Sequence, residues 1–252
     1  MPAKTPRRIS FDSNAWEKVF TAGDQTFAPI RAALSAGDIQ GFICEASFRI
    51  EAIMKRQRDS YFAEPGFRVA FNGVVEQDGQ SYLHITMGPD DALHPGLPAV
   101  QAERLCHAFA TGVRLMRGQN WMGLPGVLET RDPSLFVRED EETCHHREYR
   151  QIEVSAEIDG RGVGNAAFEA AGGWAGAGKA TDRKRFYRAC AEWSDGELAA
   201  AHVAYGNDIL CTDDRAAAGG SSIFDPTNRR WLAEWFGVEF MTLQSLLCSL
   251  ET

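Results

Sequence analysis

Near opposite ends of the chain, two short apolar runs each lead straight into aspartates, and this pairing constrains the fold more than any other feature. Residues 8–14 read Arg-Ile-Ser-Phe-Asp-Ser-Asn, a strand that stops at Asp12 with Asn14 two residues on. Residues 208–214 read Asp-Ile-Leu-Cys-Thr-Asp-Asp, a second strand that closes on Thr212, Asp213 and Asp214. Parallel strands bring their carboxyl ends to one edge of a sheet, where open α/β folds bind ligands. Carboxylates crowded there repel one another unless a hard cation lies among them. The pattern therefore predicts a Mg²⁺ or Mn²⁺ site.

Length and charge narrow the classes. The 252 residues suit one domain, 1–252, carrying an insertion. No apolar run approaches the roughly 20 residues that span a bilayer. The basic start, Met-Pro-Ala-Lys-Thr-Pro-Arg-Arg, lacks the apolar stretch of a secretory signal and reads as a short leader. Six cysteines without a Cys-x-x-Cys pair point to a reduced, cytoplasmic chain rather than a disulfide framework. A formal charge of −9 argues against broad coating of nucleic acid. It leaves a nuclease open, because metal-binding carboxylates contribute to that sum.

Periodicity organises the rest. Strand 8–12, helices at about 14–21 and 25–36, strand 41–46 and a helix at 47–60 predict βαβ crossovers and a parallel sheet. Residues 67–75 and 81–87 alternate like a β-hairpin, and 98–117 has the apolar spacing of a helix. From 118 to 180 little periodicity is visible, and about 62–182 reads as an insertion between core segments 8–61 and 183–252. The core resumes with a helix at about 183–193, a second helix opened by Asp195 and ending at Gly206, and the strand 208–212. Asp225-Pro226 then starts a helix over 227–236 that Gly237 ends; a short strand at 238–241 and a helix at 243–250 follow.

Taken in order, these residues resemble the PIN-domain nucleases, a family that includes toxin ribonucleases of bacterial toxin–antitoxin pairs. Phe11-Asp12-Ser13-Asn14 is similar to the family's opening Asp-x-Asn. Glu45-Ala-Ser-Phe-Arg-Ile-Glu51 offers two candidates, Glu45 and Glu51, for its second acidic residue. Asp195 with Gly206 and Leu210-Cys211-Thr212-Asp213-Asp214 are similar to the third and closing motifs. The resemblance covers about 8–60 and 185–250. It implies a three-layer α/β/α fold with a mainly parallel sheet and an inserted hairpin and helix segment. It also implies a metal-dependent endoribonuclease whose partners are RNA and, in the toxin case, an antitoxin or other protein; homo-oligomers are compatible with it, and a membrane is not implied.

The chemistry follows from the residue types. Carboxylates holding Mg²⁺ clamp a phosphodiester and lower the pKa of a bound water for in-line attack, with one ion or with two. Asp12, Asp195, Asp213 and Asp214 are the candidate ligands, Glu45 or Glu51 completes the cluster, and Asn14 and Thr212 support it. Each has a blander account: a turn residue for Asp12, a helix cap for Asp195, a solvated partner for the glutamates. Lys179, Arg183, Lys184, Arg185 and Arg188, interleaved with Phe186 and Tyr187, form either a phosphate-tracking patch or a solvated helix face. Cys144-His145-His146 reads as a polar loop rather than a zinc site, and 173–179 as a loop rather than a P-loop, since Ala180 stands where Ser or Thr would bind Mg²⁺. His202 and the tryptophans, Trp231 and Trp235 among them, read as core. The rival function is a non-catalytic PIN-like module that binds RNA or protein. A phosphatase of the haloacid-dehalogenase type is disfavoured by Asn14, where a second Asp would stand.

Overall fold

A computed structural model describes residues 5–51, 57, 67–77, 80–89, 95–119, 132–173, 182–214 and 222–250. Five parallel strands form the central sheet in the order β5-β2-β1-β6-β7: β1 Arg7–Phe11, β2 Ile39–Cys44, β5 Arg114–Met116, β6 Ile209–Cys211 and β7 Glu239–Met241. A separate hairpin pairs β3 Phe67–Gln77 with β4 Gln80–Pro89. Between the sheet strands run helices α1 Ser13–Val19, α2 Ala28–Ala36, α3 Ala99–Ala110, α4 Glu141–Gly160, α5 Asn165–Ala170, α6 Arg183–Ala204 and α7 Pro226–Phe236. Helix α8, Leu243–Leu250, closes the chain. The architecture is α/β with helices flanking a wholly parallel sheet, consistent with three layers.

Alternation along the strands builds the layers, because successive side chains point to opposite faces. Ile9, Phe11, Ile43, Leu115 and Cys211 pack with residues of α1, α2, α3 and α8. Phe42, Cys44, Met116 and Leu210 pack with α4, α5, α6 and α7. Gly41 lies where β2 passes under α2: a Cβ there would come within 2.8 Å of Leu34 and 2.9 Å of Val113. Helix α6 is buried on nearly every side from Glu192 to His202, as befits a helix enclosed by the sheet and by α4 and α5. Gly196 allows that enclosure, since a Cβ on it would meet the Gly164 backbone at 2.8 Å.

Several boundaries differ from the sequence reading, each for a physical reason. The segment 62–182 is not all insertion, because β5 is an edge strand of the central sheet and Val154, Ile158 and Phe168 join the main core. The helix expected over 98–117 stops at Ala110; Thr111 caps it, Gly112 takes φ 93° and the chain re-enters as β5. The loop expected around Cys144-His145-His146 is the helix α4. Its acidic start is a helix N-terminus: Asp140 accepts from the Thr143 N–H at 2.8 Å, and Glu141 and Glu142 sit in the first turn against the helix dipole. The two helices expected on either side of Asp195 are one, α6. In the 47–60 stretch a π-helical turn spans Ser47–Glu51, and most of the remainder lies outside the described residues. Trp235 is not core but 69% exposed, whereas His202 is buried and bonded to Ser10 Oγ at 2.9 Å.

Candidate active site

Parallel pairing brings the ends of β1 and β6 side by side, with Phe11 opposite Cys211. The next residue, Asp12, donates its N–H to the Cys211 carbonyl at 3.0 Å and starts α1 as its N-cap. Its carboxylate is buried and fully engaged. Oδ1 accepts from the Ser13 N–H at 2.6 Å, and Oδ2 accepts from Asn14 Nδ2 at 2.6 Å and from Thr212 Oγ1 at 2.7 Å. Burial pushes the Asp12 carboxyl upward and the charge of Asp214 adds to this; the hydrogen bonds from Thr212, Ser13 and Asn14 oppose it.

Asn14 and Thr212 tie the two strand ends into one network. Asn14 Oδ1 accepts from the Asp213 N–H at 2.9 Å, and Thr212 Oγ1 accepts from the Asp214 N–H at 3.0 Å. The adjacent aspartates then diverge. Asp213 accepts from the Leu243 N–H at 3.0 Å through one oxygen and pairs with Lys18 at 2.7 Å through the other, so it anchors α8 and α1. Asp214 instead lines a cavity of about 620 Å³, together with Asp195, Glu192 and Ser222. Asp195 reaches that cavity from the middle of α6 rather than from a helix start.

Arg229, in the first turns of α7, completes this side. Its Nε donates to the Phe224 carbonyl at 2.6 Å and its Nη2 to the Asp214 carbonyl. Burial lowers its pKa, while Asp214, Asp12 and Asp195, in that order, draw it back up. The Arg229 guanidinium thus feels the charge of all three aspartates, and its direct hydrogen bonds go to main-chain carbonyls. The sequence reading did not select Arg229 as a site residue. Its signal was there in principle, as the one arginine following the Asp225-Pro226 cap that faces back toward the β6 end.

One strand over, the end of β2 holds a second acidic group. Glu45 Oε1 accepts from the Gly118 N–H at 2.9 Å and pairs with Arg49 at 2.9 Å. Glu197, from α6, accepts from the Gln119 N–H at 2.6 Å. Burial pushes Glu197 up to about 8; the Gln119 N–H and Arg49 counter this, and Glu45 and Asp159 add to it. Glu197 had no motif to flag it. The side chain of Glu51, the competing glutamate, lies outside the described residues.

The basic stretch is split by the helix. Lys184, Arg185 and Arg188 line the same cavity as Asp195 and Asp214, and Arg183 does not. Phe186 is no stacking platform: it is buried against Phe168, with ring centroids 5.8 Å apart. Lys179 and most of the 173–179 stretch lie outside the described residues.

Whether these residues suit a hard divalent cation turns on donor type and on closeness. The donors are carboxylate oxygens, the type a hard cation takes, although both oxygens of Asp12 already accept hydrogen bonds. Closeness fits less well: among the described residues, no three His, Cys, Asp or Glu side chains form a group able to hold a metal ion. Asp12 and Asp214 are thus neighbours rather than part of a four-carboxylate cage. Mg²⁺ itself is commonly held by one or two carboxylates, its other positions filled by water and substrate phosphate. Among the described residues, no helix is long and apolar enough to cross a membrane. The chain matches no family model, no curated protein and no solved structure.

Proposed function

We propose that this chain is a metal-dependent phosphodiesterase of PIN type, an endoribonuclease that uses Mg²⁺ or Mn²⁺ at the joined ends of β1 and β6. The observation that carries the reading is the Asp12–Asn14–Thr212 network beside Asp214, at the carboxyl edge of a sheet whose strand order sets β1 between β2 and β6. Asp12 and Asp214 would hold the ion, which supplies an activated water and charge stabilisation at the phosphate. Asn14 and Thr212 keep Asp12 fixed, so that no side chain has to reorganise as charge develops. Asp195 borders the cavity where substrate would enter.

The basic wall supports phosphate binding there. Lys184 and Arg185 lie in the first turn of α6, where positive charge opposes the helix dipole and costs about 0.3–1 kcal/mol per residue. Anions are favoured at that place, and the same side chains would release counterions on meeting RNA. The second reading, a non-catalytic PIN-like module that binds RNA or protein, draws on the lack of a three-acid metal group among the described residues. Incubation of structured and unstructured RNA with the full chain in Mg²⁺, Mn²⁺ or EDTA separates the two. Internal cleavage abolished by EDTA supports the enzyme; RNA binding without cleavage in either metal supports the module.

A further inference from the structure

We propose that the cavity between α5 and α6 is a binding site for a phosphate monoester of nucleotide size. The inference goes beyond the cleavage reading, since it needs neither a cation nor the breaking of a bond. The volume, about 620 Å³, falls within the roughly 300–1,000 Å³ of small-ligand sites. The wall is ordered along its length. Lys184, Arg188, Ala191 and Asp195 follow at intervals of four, three and four residues, so one face of α6 carries them all into the cavity. From first to last the stripe runs roughly 16 Å by the helical rise. It is basic at the Lys184 end, where Arg185 adjoins, and acidic at Asp195.

Every charge on that wall has a place. Among the described residues, Lys184, Arg185 and Arg188 enter no ion pair. Of the acids lining the cavity, Asp182 is the cap of α6, its Oδ1 accepting from the Arg185 N–H at 3.0 Å. Glu192 is buried, and its Oε1 accepts from the Gly164 N–H at 3.2 Å and the Ile223 N–H at 2.6 Å. Asp195 lies roughly 10 Å along the helix from Arg188, and Asp214 follows the end of β6. The three cations are therefore not neutralised by the acids that share their cavity. They suit a terminal phosphate of up to about two negative charges, which an arginine fork grips through two oxygens. The acids beyond disfavour a second phosphate. Facing the cations, Ala167, Ala170 and Ala171 of α5 and its cap, with Ala189 of α6, present methyl groups alone. A planar ring can lie on such a wall with no base-specific hydrogen bond to select it. A free nucleotide and a phosphorylated RNA end share this chemistry.

Isothermal titration of the full chain in EDTA with 5′-AMP, adenosine and inorganic phosphate tests this. Wild type should bind 5′-AMP at least about ten-fold more tightly than either of the other two. Replacing Lys184 and Arg188 together with Ala should weaken 5′-AMP binding by at least about ten-fold. Ala170→Phe, which fills the apolar wall, should abolish it. All three positions are exposed, so the variants keep the fold, and Arg183→Ala, off the cavity, should bind as wild type does. Two further probes, tri-adenylate with a 5′-phosphate and with a 5′-hydroxyl, separate the sources. Tight binding of the phosphorylated form alone identifies an RNA end; binding of 5′-AMP but neither trimer identifies the free nucleotide. No binding of 5′-AMP at about 1 mM, inorganic phosphate bound as tightly as 5′-AMP, or unchanged binding in either cavity variant would overturn the proposal. Because EDTA removes any divalent ion, none of these outcomes bears on whether the chain cleaves RNA.

Discussion

Two acidic groups lie at the same edge of the sheet and have opposite characters. At the β1–β6 ends, Asp12 is met by three hydrogen-bond donors, and Asp214 and Asp195 border an open cavity with basic residues on its wall. At the β2 end, Glu45 and Glu197 are enclosed by the π-helical turn and the 117–119 segment and share one arginine, Arg49. Fold position alone does not make a site, since both groups occupy the edge where α/β proteins bind ligands. What separates them is access and donor supply. The first pair of strand ends pins a buried Asp12 with three donors and sets Asp214 and Asp195 on a cavity that a solute can enter; the second closes over its carboxyl until it retains its proton.

The largest expected effect probes the buried group. Because Glu197 is raised from an ordinary value of 4.5 to about 8, the folded state binds the extra proton between those values. Its stabilising contribution is complete below the lower value and is lost as pH rises through the upper one. Glu197→Gln mimics the protonated form. It should match wild type in urea unfolding near pH 4.5 and exceed it by about 5 kcal/mol at pH 9. His202, pulled down to about 4 by burial, destabilises both proteins equally as pH falls from 6.5, so the difference between them isolates Glu197. Parallel pH curves would show that Glu197 is ionised and solvated in the fold.

A smaller effect probes the basic wall of the open group. Replacing Arg183, Lys184 and Arg185 with Ala should weaken RNA binding by about ten-fold and reduce the slope of log affinity against log salt by up to about 2. Mn²⁺ binding should be unchanged. Because Lys184 and Arg185 face the cavity and Arg183 does not, the Arg183→Ala single variant should contribute least to the loss. Unchanged affinity and slope would return the stretch to a solvated helix face.

The smallest effect separates two adjacent aspartates. Asp213→Ala removes the acceptor for the Leu243 N–H and the partner of a half-exposed Lys18, which should cost about 1 kcal/mol in urea unfolding. Asp214→Ala should cost less stability and more cleavage. If Asp213→Ala abolishes cleavage without affecting stability, Asp213 belongs to the reacting group after all.

How much of this was readable beforehand depended on whether burial and hydropathy coincided. Strands β1 and β6 were legible because Ile9, Phe11, Ile209 and Cys211 are apolar, buried and followed at once by acids. The cap and stop of α7 were legible because Asp225, Pro226 and Gly237 act locally. Helix α4 was not, since its buried stripe is Arg147, Gln151, Val154 and Ile158, half of it polar by composition. Arg147 is tolerated there because Glu139 pairs with it at 3.1 Å. Strand β5 was hidden because its three residues continued the apolar spacing of α3. Within the site, Asp12, Asn14 and Thr212 came from motif spacing, whereas Glu197 and Arg229 are placed by packing of distant elements, which no local pattern encodes.

The central claim is that the chemistry resides at the β1–β6 ends and not at the β2 end. Cleavage of one RNA by wild type, Asp12→Asn and Glu197→Gln, side by side in Mg²⁺ with an EDTA control, tests it most directly. Asn keeps the shape of Asp12 while deleting the charge beside Asp214, so Asp12→Asn should stay folded and cleave about 10³-fold more slowly, about 4 kcal/mol of barrier. Glu197→Gln should cleave at nearly the wild-type rate. Equal cleavage by wild type and Asp12→Asn, with loss of activity in Glu197→Gln, would contradict the account and move the active site to the buried edge.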